Sequence, residues 1–143
     1  MRIGTRRITR LRWGAVAIAL ALTGACGSST STTPTPTPTY VTETFSGTIQ
    51  AGTAVYHAFT VTAQGTLTAT LNTFSPQSGI TMGFGIGQPS GTTCPLLSGA
   101  YLETAKVGSA LQGTIGVGSY CVQLYDLGNM QGSDDYVITV AHP

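Results

Sequence analysis

Gly65-Thr66-Leu67-Thr68-Ala69-Thr70-Leu71 decides the fold of this chain. Leu67, Ala69 and Leu71 fall on one side of an extended backbone, and Thr66, Thr68 and Thr70 on the other. That is the two-residue period of a half-buried strand. The same alternation recurs on both sides of it. Thr42 to Ile49 is a polar/apolar strand that ends at a turn over Gln50, Ala51 and Gly52. Val55 to Val61 places Val55, His57, Phe59 and Val61 on one face. Ile80 to Ile86 sets Ile80, Met82, Phe84 and Ile86 against Thr81, Gly83 and Gly85. Leu111 to Val117 is a strand interrupted by Gly113 and Gly116. Ser119 to Tyr125 turns Tyr120, Val122 and Leu124 inward, and Asp135 to Val140 closes the series. No segment carries a helical stripe with caps. Short strands separated by Gly, Asn, Asp and Ser predict an all-β fold, an antiparallel jelly-roll-like β-sandwich of seven to eight strands. Residues 88–110 are the least regular stretch and read as a long loop.

This domain spans residues 40–143, about 100 residues, enough to bury roughly two-thirds of its unfolded surface. Two segments of different character precede it. Arg2, Arg6, Arg7, Arg10 and Arg12 form a basic start, and Trp13 to Leu22 an apolar run. The run is shorter than the roughly 20 residues needed to cross a bilayer, so residues 1–25 read as an export signal. Leu22-Thr23-Gly24-Ala25-Cys26 resembles a bacterial lipoprotein signal, in which Cys26 becomes the lipidated N-terminus. The alternatives are an ordinary signal beside a chance cysteine and, from Arg6-Arg7, twin-arginine export. Residues 26–39 then read as the lipidated Cys26 and a linker of Gly, Ser, Thr and Pro. With no hydrophobic side chain from Gly27 to Thr39, burial cannot offset the entropy of ordering. Alternating Pro favours an extended polyproline II stalk reaching roughly 40 Å.

Loss of residues 1–25 removes all five arginines, leaving Lys106 against Glu43, Glu103, Asp126, Asp134 and Asp135, a side-chain charge of −4. One cation cannot neutralise a row of phosphates, which excludes nucleic acid as a partner. It also leaves the lipid as the means of holding the chain to a membrane.

Residues from both halves carry a family resemblance. Phe45-Ser46-Gly47-Thr48-Ile49, Gly52, Tyr56-His57-Ala58-Phe59-Thr60-Val61 and Gly65-Thr66-Leu67 resemble the first half of bacterial pre-peptidase C-terminal domains. Gly118 to Asp126 and Tyr136 to Val140 resemble the second half. The resemblance implies a jelly-roll-like sandwich that accompanies secreted enzymes, with relatives that bind carbohydrate or collagen, sometimes with calcium. Here Thr81 to Gly87 is glycine-rich where the family has acidic residues, and residues 88–110 match least.

Chemistry-bearing residues are few. In an oxidising compartment Cys94 and Cys121 predict a disulfide; the alternatives, a redox pair or zinc, lack a C-x-x-C motif and ligand spacing. His57 reads as a packed, hydrogen-bonded residue, and His142 as part of a mobile end. Nucleophile-elbow and phosphate-loop motifs are missing, and nothing in the sequence brings Glu43 and Glu103 together as a glycosidase pair. The chain therefore reads as non-catalytic. Asp126, Asn129, Asp134 and Asp135 offer hard oxygens for Ca²⁺ on one connection, though the same residue types form turns. Tyr40, Tyr56, Tyr101 and Tyr125 are candidates for exposed, ligand-stacking rings. The functional expectation is an exported, membrane-anchored lipoprotein whose sandwich binds an envelope glycan or protein. A docking lipoprotein without a small ligand is the alternative.

Overall fold

The computed structural model describes residues 37–143. The expected export signal, Cys26 and most of the expected linker lie outside the described residues. Eight strands follow one another: β1 (Val41–Gln50), β2 (Ala54–Val61), β3 (Gly65–Ser75), β4 (Met82–Gly87), β5 (Leu96–Ala105), β6 (Ala110–Ile115), β7 (Gly118–Asp126) and β8 (Ser133–His142). They pair antiparallel into two four-stranded sheets, ordered β1-β8-β3-β6 and β2-β7-β4-β5. That interleaving is the strand order of a jelly roll.

The alternation read from β3 works as expected. Leu67, Ala69 and Leu71 are buried, and they meet Phe59, Phe84, Val122, Leu124, Ile138 and Val140 in one core between the sheets. On the outer side of the first sheet, cross-strand rows such as Thr44–Thr139–Thr70 give water a carpet of hydroxyls. Threonine suits that position because its branched Cβ fits the pleat while its hydroxyl stays solvated.

Three expectations change. Residues 88–110 contain a ten-residue strand, β5, in place of a long loop. Its alternation is broken because three residues of β4, Gly85 to Gly87, are matched by six of β5, from Tyr101 back to Leu96. Gly99 takes φ +77° within that bulge. Ile80 precedes β4, its N–H held by the Gln77 carbonyl in a turn. His142 belongs to β8 and is 2% exposed, its Nε2 lying 3.0 Å from Glu43 Oε1 and its ring tilted over Phe59. The ten-pair β1–β8 ladder carries the strand through to it.

Cys94 and Cys121 are joined, with Cα atoms 6.1 Å apart. The bridge lies on the outer side of the second sheet, since Cys121 shares a row with Ala58 and Gly87. It clamps the β4–β5 connection onto the sheet. Closing a loop of this length stabilises by about 3.5 kcal/mol in the chain-entropy model.

Candidate functional site

Strand β4 is buried on both faces although half of it is glycine. Met82, Phe84 and Ile86 fill the core. Gly83, Gly85 and Gly87 face outward and form the floor of a stripe along the second sheet, covered by neighbouring groups. A Cβ on Gly83 would stand 2.0–2.4 Å from three ring atoms of Tyr125. The Tyr125 ring therefore lies flush on the backbone of Gly83. Leu96 and the Cβ of Tyr101 cover Gly85, and Pro95 with Cys94 covers Gly87.

The register sorts the expected tyrosines. One outward row runs Tyr56–Gln123–Gly85–Tyr101 across all four strands, and the next runs Ala54–Tyr125–Gly83. Tyr56, Tyr101 and Tyr125 thus share one face. Tyr40 does not join them; its hydroxyl accepts the Thr66 N–H beside Gly65. Tyr101 is 41% exposed, which leaves much of its side chain open to a ligand. Burial raises the pKa of the Tyr125 hydroxyl above its ordinary value, and the neighbouring Glu103 carboxylate and Tyr101 hydroxyl raise it further. The register agrees, since Glu103 falls between Leu102, opposite Phe84, and Ala105, opposite Met82, and so lies across from Gly83. Glu43 stands in the other sheet against His142, so the two glutamates do not form a pair.

Sequence reasoning missed Gln123 and the role of Glu103. Gln123 was legible, since it is out of phase with Val122 and Leu124 as Tyr125 is. Glu103 was not, because no strand was expected there to set its phase, and the register shift between Leu102 and Ala105 falls on it.

The acidic connection is organised differently. Asp126 Oδ2 accepts the Gly52 N–H, and its Oδ1 accepts the N–H groups of Gly128, Asn129 and Met130. Burial pushes the Asp126 pKa up, but these four donors outweigh it and hold the carboxyl below its ordinary value. Asp134, 1% exposed, receives the backbone N–H and Nε2 of Gln77. Asp135 receives the Thr48 hydroxyl, and the Asn129 amide donates to Thr81. The residues act as turn formers and strand clamps. Among the described residues, no three His, Cys, Asp or Glu side chains are placed to hold a metal ion.

His57 is half-buried on the inner face, stacked 4.8 Å from Phe45, and its Nε2 shares a 2.7 Å hydrogen bond with the Tyr136 hydroxyl. Burial lowers its pKa and raises that of Tyr136. On the opposite side of the sandwich, a cleft of about 250 Å³ opens between edge strands β5 and β6, walled by Leu67, Ile86, Leu97, Leu111 and Ile115. It exists because Gly113 takes a core-facing place, paired with Leu67, and leaves open space where a side chain would stand. No family model and no curated protein matches this chain.

Proposed function

We propose that this chain is an exported lipoprotein, held to the bacterial membrane through Cys26, whose sandwich is a non-catalytic binding module for an envelope glycan. The observation that carries the binding reading is the outer face of the β2-β7-β4-β5 sheet, where Tyr56, Gln123, Tyr101 and Tyr125 stand together. Aromatic rings supply flat apolar area for the faces of sugar rings, and an amide supplies hydrogen bonds to hydroxyls. Tyr125 is already pinned on Gly83, so binding costs little side-chain entropy. The export signal, the Thr/Pro-rich linker and the resemblance to pre-peptidase C-terminal domains support display away from the membrane.

Thermal unfolding of the purified chain across a panel of envelope polysaccharides tests the binding reading. A ligand at 100 times its Kd raises stability by about 2.7 kcal/mol. Tyr101→Ala and Tyr125→Ala are expected to abolish the shift. If no glycan moves the transition, the face is not a glycan site. Metabolic labelling with a fatty-acid analogue tests the anchor; label that persists in Cys26→Ser would rule out attachment at that residue.

The β5–β6 cleft favours a second reading, docking to an envelope protein. Among the described residues strand β6 pairs only with β3, and an incoming strand added to its free edge would point apolar side chains into the cleft. Gly113→Leu, which fills the cleft, would block such docking and leave the tyrosine face untouched.

A further inference from the structure

The domain carries five carboxylates against the single cation of Lys106. Four have partners: Glu43 meets His142, Asp126 four backbone N–H groups, Asp134 Gln77, and Asp135 Thr48. Glu103 is exposed and, among the described residues, has neither a hydrogen-bond nor an ion-pair partner. Between Leu102, paired with Phe84, and Ala105, paired with Met82, this unpartnered carboxylate lies across from Gly83, the residue that the Tyr125 ring covers, and two residues along the strand from Tyr101.

We propose that the Tyr101–Glu103–Tyr125 patch recognises protonated amino groups of a glucosamine-type polysaccharide. The inference rests on the glycan-binding reading of this face and narrows its ligand class. A carboxylate attracts an ammonium group directly. The faces of tyrosine rings attract it through their quadrupoles. An acidic glycan would be repelled by Glu103 and by the domain's negative charge. A neutral glycan could offer the carboxylate hydroxyl hydrogen bonds but no opposite charge. The geometry also favours a polymer over a single sugar. Tyr125 and Tyr101 sit two strands and two residues apart, about 12 Å between backbone positions at ordinary sheet spacings. That span exceeds one sugar ring, and Gln123 shares the row of Tyr101 and the strand of Tyr125.

Titration calorimetry of the purified full chain tests this, using a glucosamine hexamer and its fully N-acetylated counterpart at a pH where the amines are protonated. The glucosamine oligomer is expected to bind about tenfold more tightly, the combined effect of an exposed ion pair and a cation–π contact. Added salt should narrow the gap. Glu103→Gln should erase the gap, because the amide carries no charge to pair with the ammonium groups, and Tyr125→Leu should weaken both. Equal binding of the two oligomers would overturn the amine inference and leave the glycan reading standing. Binding of neither would overturn both. A lysine-rich peptide that binds as tightly as the glucosamine oligomer, and needs Glu103 to do so, would overturn the sugar assignment.

Discussion

Adding one methyl group at each of three glycines should give three different outcomes. At Gly87 a Cβ would stand 2.3 Å from the Pro95 carbonyl oxygen and 2.8 Å from Cys94 Sγ. Both groups belong to a segment clamped by the disulfide, so neither can withdraw. At Gly83 the obstacle is the Tyr125 ring, which can swing into solvent and surrender its packing. At Gly113 nothing lies within 4 Å, and the methyl enters the cleft. Overpacking costs about 1–3 kcal/mol, whereas replacing a strand glycine with alanine recovers about 0.5–1 kcal/mol. Gly87→Ala should therefore lose about 2 kcal/mol and Gly83→Ala about 1 kcal/mol. Gly113→Ala should gain about 0.5–1 kcal/mol. For a domain of this size each kcal/mol moves Tm by roughly 5 °C, so calorimetry resolves the series. Gly83→Ala should also weaken binding at the tyrosine face, since it lifts the ring from its seat. A destabilised Gly113→Ala, or a Gly87→Ala as stable as the parent, would refute the assignment of which glycines are covered.

Other consequences are equally direct. Replacing Cys94 and Cys121 together with serine should cost about 3.5 kcal/mol in denaturant unfolding; a loss below about 1 kcal/mol would mean the bridge constrains little. Stability should fall on both sides of neutral pH. His57 and Asp126 have folded pKa values below their ordinary 6.5 and 3.8, so their contributions are full above those values and disappear as pH drops below them. Tyr125 and Tyr136 lie above the ordinary 10.0, so their contributions are full below that value and are lost as pH rises past it. Thermal scans across pH check both limbs, and His57→Phe should flatten the loss below pH 6.5; an unchanged slope would remove His57 from the account. Calcium should leave Tm where EDTA leaves it, because the Asp126 oxygens already accept backbone N–H groups. A calcium-dependent rise that Asp126→Ala removes would contradict that geometry.

The fold was legible where each strand keeps one face buried and one solvated. Thr66 to Leu71 is the clearest case, and β7 follows the same rule. Legibility failed where local phase is broken by pairing partners distant in sequence. The bulges of β5 appear only in its pairing with β4, and within Leu96–Ala105 Gly99 alone signals the first of them. His142 was misread for a related reason, since β8 is held to its last residues by β1, almost a hundred positions earlier. The tyrosine face was half legible. Phase alone turns Tyr125 outward, but its seat on Gly83 and the proximity of Glu103 come from strand order, which periodicity does not encode. For the aspartates, residue type was informative and destination was only partly so, because Gly52, Gln77 and Thr48, which donate to Asp126, Asp134 and Asp135, lie far away in sequence.

Thr37 and Pro38 lie against Ala63, Gly65 and Thr114, at the end of the sandwich where β1 begins. Tyr125 lies toward the opposite end, paired with Ala54 just after the β1–β2 turn. A ligand pulling on the tyrosine face, against an anchor upstream of Thr37, therefore draws β1 lengthwise past β8. All ten of their residue pairs resist together in shear, instead of parting one after another as they would if the strand were peeled. If the proposed tether and polymer are the two loads, the sandwich meets their tension along the direction in which its strands resist together.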